Sequence, residues 1–168
     1  KQDTDNFLKM IDSPYCKFNF SKVSLQMMKL NYFMDLQDHP QVQKTYDQMT
    51  SLKMNADEKI ALYSRMFGYA LQFRDRALAE VCRDQLTPLL NGKKGGKAEL
   101  IRGEVEQLDR IYIQKDTSLI QELIEALPEC ENDEIKSLIA FRIAKLYHYL
   151  NEPQQVEIYL NRAMRYTN

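Results

Sequence analysis

The chain has 168 residues, of which 44% are hydrophobic and 28% are charged, and its formal net charge is −1. This ordinary globular balance excludes an intrinsically disordered chain. The absence of a basic excess argues against a nucleic-acid partner, because binding to phosphates requires clustered Lys and Arg. Only five glycines and five prolines occur, which favours long helices over many short strands.

No run of about 20 apolar residues occurs, so the sequence predicts no membrane-spanning helix. Cys16, Cys82 and Cys130 are odd in number, far apart and without a CxxC motif, which excludes a zinc site of paired cysteines. Reduced thiols slightly favour a cytoplasmic protein. The alternative is an exported or periplasmic protein that has lost a leader, since the chain starts at Lys1 without an initiator Met.

Residues 1–20 are interpreted as an N-terminal cap or extended lead-in, followed by one helical array over residues 21–168. In this lead-in Phe7, Leu8 and Ile11 can form one or two helical turns. Asp12-Ser13-Pro14 should end them, because a residue that precedes proline disfavours helix.

Sequence signals mark where the helices of the first two pairs begin and end. A helix is predicted over residues 21–36, and Asp38 should cap the next one with Pro40 in its first turn. Asn55 and Glu58 have the spacing of a capping box at the start of the third helix. A short turn at Arg74-Asp75 precedes a helix that Asn91-Gly92 should close, because this residue pair tolerates positive φ.

Two further pairs follow a Gly/Lys-rich break at residues 92–97. The third pair covers residues 98–114 and 117–127, with Ser118 and Gln121 as a possible capping box. A break is predicted from Pro128 to Asp133. The first helix of the fourth pair is predicted over residues 133–150. The second helix of this pair begins at Asn151-Glu152-Pro153.

The first helices of the four pairs begin near residues 21, 56, 98 and 134, at the period of a helical repeat protein. The last pair resembles a tetratricopeptide repeat. The residues that carry the resemblance are Ala140, Ile143, Ala144, Tyr147, Val156, Leu160 and Ala163. Small residues at 144 and 163 let the helices approach, with Tyr147 and Leu160 filling the space beside them. The resemblance implies an all-α fold, a right-handed superhelix of about four such hairpins.

In the tetratricopeptide family the first helix of each pair lines a concave groove that accepts protein segments. The resemblance therefore implies a protein- or peptide-binding scaffold. The groove positions fall on Lys145, His148 and Tyr149 in the fourth pair, Asp109 and Tyr112 in the third, and Asn31 and Met34 in the first. The alternative is a sensory or regulatory segment of a longer signal-transduction or transcriptional regulator, a role that such arrays often play.

The sequence gives no reason to expect an enzyme, a cofactor or a metal ion. His39 and His148 belong to no Ser/His/Asp or Cys/His motif. The glycine- and lysine-rich segment 92–97 lacks the GxxxxGK[ST] pattern of a phosphate-binding loop. Seven carboxylates occur in residues 116–134, but without the alternating oxygen ligands and central glycine of a calcium loop. We interpret them as a solvated helix face.

Overall fold

The computed structural model describes residues 2–167, and every regular element within them is helical. The predicted all-α class is thereby confirmed. A π-helical turn at Asp109–Ile113 continues α7. The helices are α1 (Gln2–Ile11), α2 (Pro14–Asn19), α3 (Lys22–Asp35), α4 (His39–Thr50), α5 (Ala56–Gln72), α6 (Arg76–Asn91), α7 (Gly96–Leu108), α8 (Leu119–Glu129), α9 (Asp133–Tyr149) and α10 (Pro153–Arg165).

The predicted lead-in is helical rather than extended. The first helix ends at Ile11, as the Asp-Ser-Pro sequence predicted. Pro14 then begins the short helix α2, and Ser13 caps it by accepting a hydrogen bond from the backbone N–H of Cys16. Proline is tolerated there because the first helical residues need no intrahelical hydrogen-bond donor.

The described residues fall into two compact units, divided between Lys93 and Lys94. In the first unit α3 packs on α4 and α5 packs on α6. Its fully buried side chains include Leu30, Met49, Leu62, Phe67 and Leu86. The single array over residues 21–168 stays a prediction.

In the second unit α9 is central, because it packs on both α8 and α10. Ala140, Ala144 and Ala163 are buried in this core, as the small-residue pattern predicted. The expectation for Leu160 is wrong, since this side chain is exposed. Tyr159, its neighbour in sequence, is buried instead and stacks on Tyr147 with ring centroids 5.7 Å apart.

Four turns of one type connect α3 to α4, α5 to α6, the π-helical turn to α8, and α9 to α10. Each contains one residue with positive φ, between 55° and 60°, and an acidic residue directly follows it. The positive-φ residues are Gln37, Arg74, Lys115 and Asn151. The acidic residues are Asp38, Asp75, Asp116 and Glu152.

Three of these turns have the hydrogen bond of a Schellman motif, in which an N–H beyond the helix reaches a carbonyl five residues earlier. The donors are Asp38, Asp75 and Glu152, and their distances to Phe33, Ala70 and Tyr147 are 3.0, 2.8 and 3.1 Å. Asp116 donates six residues back, to the carbonyl of Arg110, at 2.8 Å. The π-helical turn, which winds more widely, accounts for this extra residue.

The sixth helix ends at Asn91-Gly92 as predicted, but Gly92 has φ −76°, and the positive φ of 120° belongs to Gly95, which precedes α7. Two other predicted helix boundaries are wrong in detail. Ser118 forms no capping box, because its hydroxyl donates to Asp116 at 2.6 Å. Pro128 does not end the eighth helix but lies in its last turn, where a missing N–H removes only one hydrogen bond.

None of the helices described here combines the length and the apolar character needed to cross a membrane.

Candidate binding surface

The predicted groove residues of the fourth pair lie in the last two turns of α9. The start of this helix is fixed by Asn132, whose side chain accepts a hydrogen bond from the N–H of Ile135 at 3.0 Å. Its buried stripe includes Ala140, Ile143 and Ala144. Because that stripe faces the core, Lys145 and Tyr149 are half-buried at its edge, and His148 is exposed.

Tyr149 is the centre of a cationic and aromatic surface. The ammonium nitrogen of Lys145 lies 5.3 Å from the centroid of the Tyr149 ring, and that of Lys115 lies 5.4 Å from the same centroid. Both distances are within the range of cation–π attraction. The ring of His148 is also near, at a centroid distance of 6.2 Å. We call Lys115, Lys145, His148 and Tyr149 the Tyr149 surface.

Lys115 was not predicted, and it comes from a different part of the chain. It is the positive-φ residue of the turn before α8, and the fold brings it to the end of α9. The sequence marks Lys115 as a turn residue only through Asp116, which follows it. Acidic residues likewise follow the positive-φ residues of the other three turns.

Tyr112 lies next to a buried cation. Arg142 of α9 is 4% exposed and donates to the carboxylate of Glu104 and to the side-chain oxygen of Gln107, both on α7. Burial raises the pKa of Tyr112; the positive charge of Arg142 opposes this increase, and Glu104 adds to it. At neutral pH Tyr112 is therefore an uncharged phenol beside an ion pair.

Asp109 is only 8% exposed, and its carboxylate forms a hydrogen bond within its own turn. It accepts a hydrogen bond from the side-chain amide of Gln114 at 2.5 Å, and its backbone carbonyl accepts from the N–H of the same residue at 3.0 Å. These bonds stabilise the π-helical turn that carries Tyr112. In this position Asp109 supports the turn, and its role in binding stays a prediction.

The two predicted groove residues of the first pair belong to the first unit. Asn31 accepts a hydrogen bond from the guanidinium of Arg65 at 2.7 Å, which links α3 to α5. Met34 is half-buried on the same helix. They are one helical turn apart, so they share a face of α3.

An open groove of about 570 Å³ runs beside α10. Its apolar side chains are Pro153, Val156, Leu160 and Met164, and His148 also lines it. His148 therefore belongs to both this groove and the Tyr149 surface.

The two ammonium groups and the aromatic ring of the Tyr149 surface can hold a carboxylate and an apolar group together. No group of three or more His, Cys, Asp or Glu side chains within residues 2–167 is arranged to hold a metal ion.

The carboxylate-rich segment 116–134 begins with Asp116, whose carboxylate is 2.7 Å from the guanidinium of Arg110.

Comparison with known proteins gives no family for this chain: no family model matches it, and neither does any curated protein or solved structure.

Proposed function

We propose that the chain is a protein- or peptide-binding scaffold. Its helical pairs would be tetratricopeptide-like repeats of a right-handed superhelix, and a segment of the partner would bind on the concave face. The recurrent turns support a repeated unit, because Gln37, Arg74, Lys115 and Asn151 follow one another at intervals of 37, 41 and 36 residues. Small-angle X-ray scattering tests the superhelix, which would give a larger radius of gyration than a compact bundle.

The observation that carries the proposal is the pair of ammonium groups within 5.4 Å of the Tyr149 ring centroid. Lys115 comes from the turn before α8 and Lys145 from α9, so the surface has a shape that a single helix cannot provide. Tyrosine is enriched in binding hot spots, and the two adjacent ammonium groups can pair with a carboxylate of the partner. We expect the partner segment to present a carboxylate next to an apolar side chain.

The experiment is selection of random displayed peptides on the 168-residue chain, followed by affinity measurement with a purified selected peptide. The variant Lys145→Ala/Tyr149→Ala should stay folded and bind the peptide at least about tenfold more weakly. Lys59→Ala/Tyr63→Ala is the matched control, because it removes the same residue types at the same spacing from half-buried positions on α5. Equal affinity of the first variant and the unchanged chain would reject this surface as the binding site.

A further inference from the structure

Two aromatic side chains of α2 are unusually exposed. Phe18 is 90% exposed and Tyr15 is 74% exposed. They are three residues apart, so they lie on the same face of the helix. Phe20, directly after this helix, is exposed as well. Groups of exposed large apolar side chains mark surfaces that interact with another protein or with a membrane.

The buried face of α2 and the hydrogen bonds at its two ends fix this exposure. Cys16 is buried against Ile11 and Leu25, so the opposite side of the short helix is anchored in the first unit. Ser13 caps its start, and the N–H of Phe20 donates to the carbonyl of Cys16 at its end, at 2.9 Å. The outward position of Tyr15 and Phe18 therefore follows from packing and not from fraying of a helix end.

The same segment is basic in an otherwise slightly acidic chain. From Lys9 to Lys29 the sequence has four lysines and one acidic residue, a formal charge of +3, whereas the whole chain has −1. The acidic residue, Asp12, is paired with Lys29 at 2.9 Å. Lys9, Lys17 and Lys22 are exposed. Lys17 lies between Tyr15 and Phe18 in the sequence, and Lys22 follows Phe20.

We propose that the aromatic–lysine face, formed by Tyr15, Lys17, Phe18, Phe20 and Lys22, docks on an anionic lipid surface. Aromatic rings are favoured at the level of the headgroups, and ammonium groups near them are attracted to anionic lipids. The formal charge of +3 from Lys9 to Lys29 favours an anionic lipid surface over an uncharged protein surface. The docking is peripheral, and its face belongs to the first unit and shares no residue with the Tyr149 surface, so it extends the proposed scaffold role.

The lipid surface should be recognised by charge and by ring insertion together. The 168-residue chain should co-sediment with vesicles of phosphatidylcholine that contain about one third phosphatidylserine, and much less with phosphatidylcholine alone. Each lysine near the surface should contribute about fivefold in affinity. Raising the ionic strength should weaken binding, because exposed charges are screened by salt.

Two variants separate the contributions. Tyr15→Ser/Phe18→Ser should lose at least about tenfold in partition to the anionic vesicles, and Lys17→Glu/Lys22→Glu should lose more. The control Lys94→Glu/Lys97→Glu makes the same charge change at two other exposed lysines and should bind nearly as the unchanged chain does. Circular dichroism of each variant confirms that it is folded.

Three outcomes would overturn the proposal. The first is no sedimentation with anionic vesicles, and the second is equal loss in the control variant. The third is a dimer in analytical ultracentrifugation that Tyr15→Ser/Phe18→Ser abolishes, since this would assign the face to a second copy of the chain.

Discussion

Arg142 and Glu104 join α9 to α7 through a charged hydrogen bond whose two ends differ in burial. The side chain of Arg142 is 5% exposed, whereas that of Glu104 is 50% exposed. The Nε atom of Arg142 has no hydrogen-bond partner within the described residues. This guanidinium is thus held in the second unit by two acceptors, Glu104 and Gln107, and any loss of them leaves a buried charge.

Replacing this arginine tests how much the ion pair stabilises the second unit. Arg142→Ala should lower the free energy of unfolding by about 3 kcal/mol, because it removes a buried pair and the packing of the long side chain. Arg142→Met should cost clearly less, since it fills the space without a charge and the half-exposed Glu104 can be hydrated. Urea unfolding monitored by circular dichroism measures both values.

A surface arginine provides the comparison for this experiment. Arg76 pairs with Glu80 at 2.8 Å, but both side chains are exposed, so Arg76→Ala should cost about 0.5 kcal/mol or less. Similar losses for Arg76→Ala and Arg142→Ala would show that burial of Arg142 does not matter for stability.

The four turns make a second prediction, because three of their positive-φ residues are neither glycine nor asparagine. Arg74 has φ 60°, a conformation that strains most L residues by about 1–2 kcal/mol. Arg74→Gly should therefore increase the free energy of unfolding by about 1 kcal/mol, after the entropic cost of glycine is subtracted. Asn151→Gly should have nearly no effect, because asparagine visits this region readily.

The control is a glycine placed in a regular helix. Gln85 is exposed in α6, and Gln85→Gly should lower the stability by about 1 kcal/mol. Thermal unfolding of the three variants gives the order Arg74→Gly, Asn151→Gly, Gln85→Gly. A loss of stability in Arg74→Gly would contradict the strain argument.

The sequence was informative where the causes of structure are local. The capping box of Asn55 and Glu58 is confirmed, with both hydrogen bonds present, and so is the cap of Asp38 on the N–H of Gln41. Both motifs involve residues three positions apart, so they need no tertiary contact. The π-helical turn at Asp109–Ile113 was not predicted, since the apolar spacing there also fits an α-helix.

The Tyr149 surface was also predictable only where its contacts are local in sequence. The proximity of Lys145 to Tyr149 follows from their spacing of four on one helix, and the structure places the ammonium 5.3 Å from the ring centroid. Lys115 could not be assigned to this surface, because its approach to Tyr149 depends on the packing of separate helices. The burial of Asp109 also depends on that packing, so the sequence alone did not predict it.

The turn before α8 should respond to acid through Asp116. Hydrogen bonds from Ser118 and the guanidinium of Arg110 hold the pKa of this carboxyl below its usual value. A lowered folded-state pKa stabilises the fold above the unfolded-state pKa of about 3.9, and this contribution is lost as the pH falls through the folded-state value. Asp116→Asn should therefore be less stable than the unchanged chain at neutral pH, and the difference should shrink in acid.

Urea midpoints measured from neutral pH down to about pH 3 give this dependence. Glu106→Gln removes an exposed carboxylate of α7 and serves as the control for net charge. Ser118→Ala should reproduce part of the effect, since Ser118 is the main cause of the lowered pKa. A stability difference that stays constant with pH would assign the effect of Asp116→Asn to something other than ionisation.

Cys82 should be the least reactive thiol of the chain. It is fully buried in the first unit, and burial raises its pKa to about 11, although a hydrogen bond with the hydroxyl of Tyr46 opposes this increase. At pH 8 about one thiol in a thousand would be ionised even if reagent could reach it, and the thiolate is the reacting species. Iodoacetamide should therefore modify Cys82 only when the first unit unfolds.

Cys130 provides the internal comparison because it is half-buried and lies in the second unit. Peptide mass spectrometry after timed alkylation should show Cys130 modified first in native buffer, and Cys82 modified at a rate that increases with urea. Tyr46→Phe removes a hydrogen bond that lowers the pKa of Cys82, so the folded variant should keep that thiol protonated to still higher pH. Modification of Cys82 as fast as Cys130 in native buffer would mean that the interior of the first unit opens without denaturant.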